Sequence, residues 1–332
     1  MNEISWPRVI YGTSGLGNLY TVLENTTRQS IVEACVQHAD GLAVFDTAGK
    51  YGAGLALESL GQCLRQLKVP KEKVLISNKL GWYRIPLTTP EPTFERGVWK
   101  DIQHDAVQRI SYEGILACYE QGNALLNGYN AQLVSVHDPD EYLAGATDEA
   151  DRQQRWLDIL DAYRALFELK ASGKVKGVGV GSKDWKVIQR ITEDIELDWV
   201  MIANSMTLHA HPPALSRYIG ELTDQGTVVI NSAVFNGGFL IGSDYYNYQL
   251  VQASEEAHQP LLQWRNEFFS CCEQHQVSPA HACIQFGIGV SGISSIALNT
   301  TRAEKVKVNI DMATKPIPAS FWNDLQSKGL IQ

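Results

Sequence analysis

The stretch from residue 133 to residue 181 opens with the apolar run LVSVHD (133–138) and closes with the apolar run VKGVGVG (175–181). Between these two apolar runs, apolar side chains recur every three or four residues before a Ser172-Gly173 stop, and they are Leu157, Leu160, Tyr163, Leu166 and Phe167. This spacing is typical of an amphipathic helix. The stretch therefore predicts a strand, a helix and a second strand, in that order.

The same unit repeats along the whole chain. Short apolar runs without clean alternation indicate strands that are buried on both faces of a parallel sheet, and segments of helical character separate them. The eight runs are RVIYG (8–12), LAVFD (42–46), VLISNK (74–79), LVSVHD (133–138), VKGVGVG (175–181), DWVMIAN (198–204), TVVINS (227–232) and SSIAL (294–298). Eight such units in about 300 residues favour an α/β fold of the (β/α)8 TIM-barrel type, as a single domain over residues 1–332.

A doubly wound sheet fits the sequence less well, because it normally carries a GxGxxG fingerprint in its first turn. The glycines nearest to that position are Gly12, Gly15 and Gly17 in YGTSGLGN. Their spacing is wrong for a pyrophosphate turn and favours a loop at the end of the first strand. Two longer loops, 80–104 and 237–259, follow predicted strands and would lie on the catalytic face of a barrel.

Composition excludes several classes of protein. The 332 residues include 28 Lys and Arg against 37 Asp and Glu, a net charge of -9, so nucleic acid is not an expected partner. The sequence contains no apolar run long enough to span a membrane and begins without an apolar leader, so we expect a cytoplasmic protein. Six dispersed cysteines without a CxxC pair indicate buried thiols. His209 and His211 lack the further ligands of a metal site, so no metal is expected.

Four ionisable residues stand at or just beyond the ends of the second, third and fourth predicted strands: Asp46, Tyr51, Lys79 and His137. In a barrel, the carboxyl ends of the strands meet on one face, so these side chains are expected to come together. Taken alone, each residue also fits an ordinary structural role. Asp46 could be a helix cap and Tyr51 a half-buried aromatic ring. Lys79 could be a solvated charge and His137 a core histidine.

Together, FDTAGKYG (45–52), SNKLGW (77–82) and VSVHDPD (134–140) resemble the aldo-keto reductase superfamily. The resemblance extends to the GTSGLG turn, to LESLGQCL (57–64) and to KVKGVGVGS (174–182). It implies hydride transfer between a nicotinamide and a carbonyl or alcohol, with Tyr51 moving the proton. Because a free tyrosine has a pKa near ~10, a cation must stabilise its phenolate. Lys79 would supply that charge, Asp46 would hold Lys79, and His137 would donate a hydrogen bond to the substrate oxygen.

The same resemblance implies NAD or NADP, bound in an extended form across the carboxyl-end face without a Rossmann turn. The positions that match cofactor contacts are Gly12, Thr13, Ser182, Asn204, Ser232, Asn299, Thr301, Arg302 and Lys305. The last three would meet the adenosine phosphates at a helix N-terminus, where backbone N–H groups favour anions. An ordinary capped surface helix is the alternative for that turn. The aromatic ring that usually stacks on nicotinamide is absent from Asn231-Ser232-Ala233.

Within the superfamily, INSAVFNGGFLIGSDYYNY (230–248) is similar to aldose dehydrogenases that oxidise L-fucose, L-galactose or D-arabinose to lactones. Four aromatic residues, Trp82, Tyr83, Phe235 and Tyr245, would offer stacking faces with polar edges to a sugar. Core packing is the alternative for Phe235. A pyridoxal dehydrogenase, a general aldehyde or ketone reductase, and a regulatory protein that binds nicotinamide with little turnover remain alternatives. A small molecule is the expected partner, and a monomer is the expected state.

Overall fold

A computed structural model of the chain describes residue 4, residues 6–247 and residues 249–332. The strands are β1 (Val9–Gly12), β2 (Ala43–Ala48), β3 (Val74–Leu80), β4 (Trp82–Pro86), β5 (His104–Gln108), β6 (Leu133–His137), β7 (Gly177–Ser182), β8 (Trp199–Ala203), β9 (Val228–Ser232), β10 (Tyr245–Tyr246), β11 (Gln249–Leu250) and β12 (Ile293–Leu298). Tyr248, at the end of the segment that resembles aldose dehydrogenases, lies outside the described residues.

The helices cover the outside of the barrel and one of its ends. They are α1 (Asn25–His38), α2 (Leu55–Gln66), α3 (Tyr112–Leu125), α4 (Pro139–Ala144), α5 (Glu149–Ala171), α6 (Trp185–Asp194), α7 (Pro213–Asp224), α8 (Gln259–Gln274), α9 (Pro279–Gly289), α10 (Glu304–Thr314) and α11 (Ala319–Ser327). A side-chain cap begins α3, α5, α6 and α9. The Asp148 side chain, for example, accepts a hydrogen bond from the backbone N–H of Asp151 at the start of α5.

Eight parallel strands close into a barrel in the order β1, β12, β9, β8, β7, β6, β3 and β2. Each of the eight predicted strands is present, and the (β/α)8 barrel is confirmed. The pairing of β1 with both β12 and β2 removes any open edge from the sheet. The loops that follow the strands therefore lie together at the carboxyl end of the barrel.

The barrel interior is filled by side chains from every second position of its strands, as the alternation of strand side chains requires. This inner cluster consists of Ile10, Val44, Leu75, Leu133, Trp199, Met201 and Ile230. Only glycines of strand β7 face the interior, because the Trp199 ring occupies the space that larger side chains on β7 would need. A Cβ on Gly179 would stand 2.3 Å from the Trp199 ring. The glycine pattern of VKGVGVG is thus a packing requirement.

Helix α5 confirms the predicted helix between β6 and β7, and it ends just before Ser172. The predicted apolar face is wrong at one position, because Leu157 is 49% exposed while Trp156 is buried. Adjacent helical residues lie about 100° apart, so only one of the two can face the barrel. The bulkier Trp156 side chain occupies the buried position.

Both long loops carry secondary structure of their own. The first contains an antiparallel hairpin of β4 and β5, and the second contains the short pair β10 and β11. The first loop packs through a satellite cluster of Ala53, Phe94, Trp99, Ile102 and Ala106. The loop therefore forms a fixed wall beside the barrel mouth.

The other sequence expectations concern thiols, metals and membranes. All six cysteines are buried free thiols. Among the described residues, no group of three or more His, Cys, Asp or Glu side chains is arranged to hold a metal ion. Within the same residues, none of the helices combines the length and the apolar character needed to cross a bilayer.

Candidate active site

Three of the predicted catalytic residues stand at the carboxyl ends of barrel strands and point inward. Asp46 lies in β2, Lys79 in β3 and His137 in β6. Each follows an inner-cluster residue of the same strand by two or four positions, so strand alternation places it on the same face, and those residues are Val44, Leu75 and Leu133. The predicted residues therefore form the polar layer directly above the apolar interior.

Asp46 and Lys79 form a buried ion pair between Oδ2 and Nζ. Burial raises the pKa of the Asp46 carboxyl, and the neighbouring Lys79 charge opposes that shift. The lysine stem has room because residue 181 is a glycine. A Cβ there would stand 2.9 Å from Lys79 Cδ. The pair holds the ammonium group 5.0 Å from the centre of the Tyr51 ring.

Tyr51 lies in the loop between β2 and α2, and the backbone of the preceding glycine-rich turn holds it in place. The residues after β1 form a 3-10 turn, Ser14–Gly17, where the glycine spacing predicted a loop. A Cβ on Gly17 would stand 2.8 Å from the Tyr51 carbonyl, and Gly52 has a φ of +61°. Only glycines permit this backbone contact. The Tyr51 ring meets the His137 ring edge-on, with centroids 5.5 Å apart.

The surroundings of His137 favour its neutral form. Burial lowers its pKa well below the ordinary value, and the positive charges of Lys79 and Lys50 lower it further. A neutral imidazole carries one N–H and one lone pair. His137 can therefore donate a single hydrogen bond into the site without bringing a charge. The structure thus brings all four predicted catalytic residues together as a tetrad: Asp46, Tyr51, Lys79 and His137.

A second charged cluster, which the sequence analysis missed, adjoins the first. The Lys50 side chain is 3% exposed, and its ammonium group contacts the carboxylates of Glu95 at 2.9 Å, Asp138 at 3.2 Å and Glu141 at 2.6 Å. Burial alone would lower the pKa of Lys50, but the three carboxylates outweigh it and hold the pKa above its ordinary value. Lys183 also contacts Glu141, and it lies 3.7 Å from Asp138.

The sequence does contain a signal for this cluster. Lys50 directly precedes Tyr51 in GKYG, and Asp138 directly follows His137 in VSVHDPD. Charged residues beside catalytic ones in a loop ordinarily face solvent, so the signal has little weight without the structure.

A cavity of about 570 Å³ opens above this polar layer at the carboxyl end of the barrel. All four tetrad residues line it, together with five of the residues predicted to contact the cofactor: Gly12, Thr13, Ser182, Ser232 and Asn299. A larger groove of about 1090 Å³ runs past α5 and α6 and is lined by none of the predicted site residues. The smaller cavity is therefore the candidate active site, because the predicted catalytic residues line it.

The remaining predicted cofactor residues lie behind or beyond the cavity. Asn204 is buried after β8, and its side-chain oxygen has no hydrogen-bond partner among the described residues. Thr301, Arg302 and Lys305 stand at the start of α10 and are not among the described residues that line the cavity. The methyl group of Thr301 packs near Gly15 of the 3-10 turn, so the α10 start adjoins the β1 side of the site.

The structure separates the four predicted substrate residues. Phe235 lines the cavity, whereas Trp82, Tyr83 and Tyr245 are not among the described residues that do so. The Trp82 ring packs against Phe94 and under the Lys50 ammonium. The Tyr83 ring lies under the Arg109 guanidinium, whose carbon is 4.2 Å from the ring centre. Tyr245 is 47% exposed and stacks on Tyr20, which does line the cavity.

The donor set of this cavity fits a nicotinamide dinucleotide. Hydroxyl and amide side chains follow several strands, and small residues at Gly12 and Gly181 keep the floor open. Asn204 is not among the described residues that line the cavity, but it follows β8 and its buried, unpartnered side-chain oxygen is an acceptor of the kind that a carboxamide group requires.

A sequence profile described as the Aldo/keto reductase family matches residues 8–329. The chain belongs to the aldo/keto reductase family. Family membership, together with the dehydrogenase names of its relatives, makes this chain an NAD(P)-dependent oxidoreductase.

Relatives of this aldo/keto reductase include two proteins named as dehydrogenases. A pyridoxal 4-dehydrogenase from Microbacterium luteolum is 27% identical, with 96% of this chain and 93% of the relative covered. A D-threo-aldose 1-dehydrogenase from a Pseudomonas species is also 27% identical, with coverages of 98% and 94%.

Solved structures show the same fold. The holo form of an aldo-keto reductase from Bacillus halodurans has a TM-score of 0.69 at 16% identity, with 98% of this chain and 92% of that chain covered. A glycerol dehydrogenase from Gluconobacter oxydans has a TM-score of 0.68 at 15% identity, with coverages of 96% and 90%.

Proposed function

We propose that this aldo/keto reductase oxidises a cyclic aldose at C1 to its lactone, with NAD or NADP as the hydride acceptor. L-fucose, L-galactose and D-arabinose are the first substrates to test. The observation that carries the proposal is the mixed character of the cavity wall. Aromatic faces from Trp99 and Phe235 share it with the charged groups of Lys50, Glu95 and Arg96.

Such a wall suits a polyhydroxylated ring. Aromatic faces pack against the C–H faces of a sugar, and charged edges hydrogen-bond its hydroxyls. A simple aldehyde makes none of these polar contacts. A site built in this way rejects an analogue that lacks the hydroxyls. We therefore expect a clear preference for the sugar over benzaldehyde.

The tetrad supplies the proton chemistry of the proposed reaction. The anomeric hydroxyl would lie between Tyr51 and His137, which donates a hydrogen bond to its oxygen. The Tyr51 phenolate takes the hydroxyl proton as the C1–H bond breaks, and the C1–O bond becomes the carbonyl of the lactone. Bound NAD(P) supplies the acceptor for the hydride. Lys79, held by Asp46, keeps the phenolate form accessible.

The cofactor contacts are part of the proposal. Five cavity-lining residues would follow the nicotinamide half: Gly12, Thr13, Ser182, Ser232 and Asn299. Asn204 would meet the carboxamide. Thr301, Arg302 and Lys305 would hold the adenosine-side phosphates at the start of α10, where backbone N–H groups favour anions.

Pyridoxal is the second candidate substrate, because one of the two relatives at 27% identity is named for it. The relative named for D-threo-aldose supports the sugar equally well. Pyridoxal and an aldose both close into cyclic hemiacetals, so the same residues could oxidise either one. The charged rim of Lys50, Glu95 and Arg96 favours the substrate with more hydroxyls.

A substrate panel tests the proposal. Reduction of NAD and of NADP is followed by absorbance with L-fucose, L-galactose, D-arabinose and pyridoxal, and benzaldehyde reduction is followed in the reverse direction. We expect at least one aldose to give the highest kcat/KM. Ready turnover of pyridoxal or benzaldehyde with no detectable aldose oxidation would contradict the proposal. Dinucleotide binding without turnover of any compound would identify a regulatory protein. Light scattering of the same sample tests the expected monomer.

A further inference from the structure

The two ring nitrogens of His137 have different surroundings. Nε2 lies 3.5 Å from Oδ2 of Asp138, whereas Nδ1 is buried and has no hydrogen-bond partner among the described residues. A neutral imidazole places its one proton on either nitrogen, and the neighbouring groups decide which. A proton on Nδ1 would leave a buried N–H unpaired and would turn the Nε2 lone pair toward a carboxylate. Both effects disfavour that tautomer.

Asp138 is held in place by charge. Its Oδ2 lies 3.2 Å from the ammonium of Lys50 and 3.7 Å from that of Lys183. Lys50 is itself buried and is held by Glu95 and Glu141. An ionised carboxylate accepts hydrogen bonds and donates none. The group facing Nε2 is therefore an acceptor.

The backbone brings these neighbours together. Adjacent residues of an extended strand point to opposite faces, so Asp138 would ordinarily point away from His137. Asp138 has φ 46° and ψ 56°, the left-handed conformation, at the point where β6 ends and α4 begins. This turn lets both side chains line the same cavity. Asp is among the few residues that adopt this conformation readily, which explains its place here.

We propose that Asp138 is a positioning residue for His137: its carboxylate, anchored by Lys50, keeps the proton on Nε2 so that this N–H is presented to the substrate oxygen. The contact of 3.5 Å is longer than an ordinary hydrogen bond, so a substrate oxygen can take the N–H without first breaking a strong bond. Asp138 thus sets the position of the proton on His137, whereas Asp46 and Lys79 set the charge beside Tyr51. The inference rests on the role given to His137 in the proposed function.

The tautomer can be read without any substrate. Long-range ¹H–¹⁵N correlation spectra of histidine-labelled protein distinguish the two tautomers, and the spectrum of His137→Gln assigns the signal. We expect the Nε2–H form in the wild type. We expect Asp138→Gly, which keeps the left-handed backbone free of strain, to lose that form or mix it with Nδ1–H. The matched control Glu141→Gln removes a carboxylate of the same cluster that does not face Nε2, and it should keep Nε2–H.

Kinetics provide a second readout. Asp138→Gly should lower kcat by about tenfold or more with the dinucleotide affinity unchanged, because only the hydrogen bond to the substrate oxygen is misdirected. An Nδ1–H wild type, or a glycine variant that keeps Nε2–H, overturns the inference whatever the substrate. The wild-type spectrum decides even if the variant fails to fold. The expected tautomers without any aldose turnover would instead contradict the proposed function alone.

Discussion

The charge of Lys79 is the feature of this site whose effect can be worked out most directly from the structure. Lys79→Met keeps a side chain of similar length and removes an ammonium group that lies 5.0 Å from the centre of the Tyr51 ring. At an effective dielectric constant of about 20, unit charges about 5 Å apart attract each other by about 3 kcal/mol, and the paired Asp46 carboxylate offsets part of this attraction. At 1.36 kcal/mol per pH unit, the remainder corresponds to a shift of at most about two units.

The sign follows from the role of Tyr51 as the base in oxidation. Oxidation requires the phenolate, so the rate rises with pH, and loss of the cation moves that rise to higher pH. At neutral pH we expect Lys79→Met to oxidise the best substrate of the panel up to about 100-fold more slowly. The loss should shrink as the pH is raised. The assay is a pH–rate profile from the absorbance of the reduced nicotinamide, together with a dinucleotide titration that should change little.

The variant also leaves Asp46 buried without its partner. Burial already raises the pKa of this carboxyl, and removal of the Lys79 charge raises it further, so Asp46 should take up a proton and remain neutral. The control Asp46→Asn/Lys79→Met should therefore match the single variant. A double variant that regains wild-type rates would show that the unpaired carboxylate caused the loss. A large loss with the rise still at the wild-type pH would refute the electrostatic reasoning.

Four further outcomes are expected. Tyr51→Phe should lower turnover about 100-fold with the dinucleotide still bound, and more than a tenth of wild-type activity would contradict its role. Arg302→Ala should weaken the binding of NADP more than that of NAD in fluorescence titrations. Equal losses of affinity for the two dinucleotides would indicate that the turn at residues 300–305 is only a helix cap. The pKa of His137 is lowered in the folded protein, so the folded state binds a proton less readily than the unfolded state. The stability that this gives is present above the unfolded pKa near ~6.5 and is lost as the pH falls. His137→Gln should therefore flatten the fall of Tm with acidification. Gly179→Ala should destabilise the fold by about 1–3 kcal/mol in urea unfolding, unless Trp199 can move aside.

The barrel could be predicted from the sequence alone, and the resemblance to aldo-keto reductases pointed to the four candidate catalytic residues. Continuous apolar runs such as LVSVHD and VKGVGVG identify strands buried on both faces, and eight of them separated by helical segments leave few other architectures. Asp46, Lys79 and His137 end three of those strands, so strand alternation and barrel closure place them on one face. Tyr51 lies in a loop, where the backbone contact with Gly17 sets its place, and it was predicted from the resemblance of DTAGKYG to the family motif.

Only the tertiary structure decided what surrounds the tetrad. Trp82 and Tyr83 lie close to Lys79 in sequence, yet the pairing of β4 with β5 sets the directions of their rings, which pack against Phe94 and Arg109 and do not line the cavity. Charged residues such as Lys50 and Asp138 ordinarily face solvent, but the left-handed turn at Asp138 and the carboxylates of Glu95, between β4 and β5, and of Glu141, in α4, hold them beside the candidate catalytic groups. The physical reason is that a strand orients side chains by a fixed alternation. A loop orients them through backbone angles and contacts between residues far apart in the chain, which a local pattern does not encode.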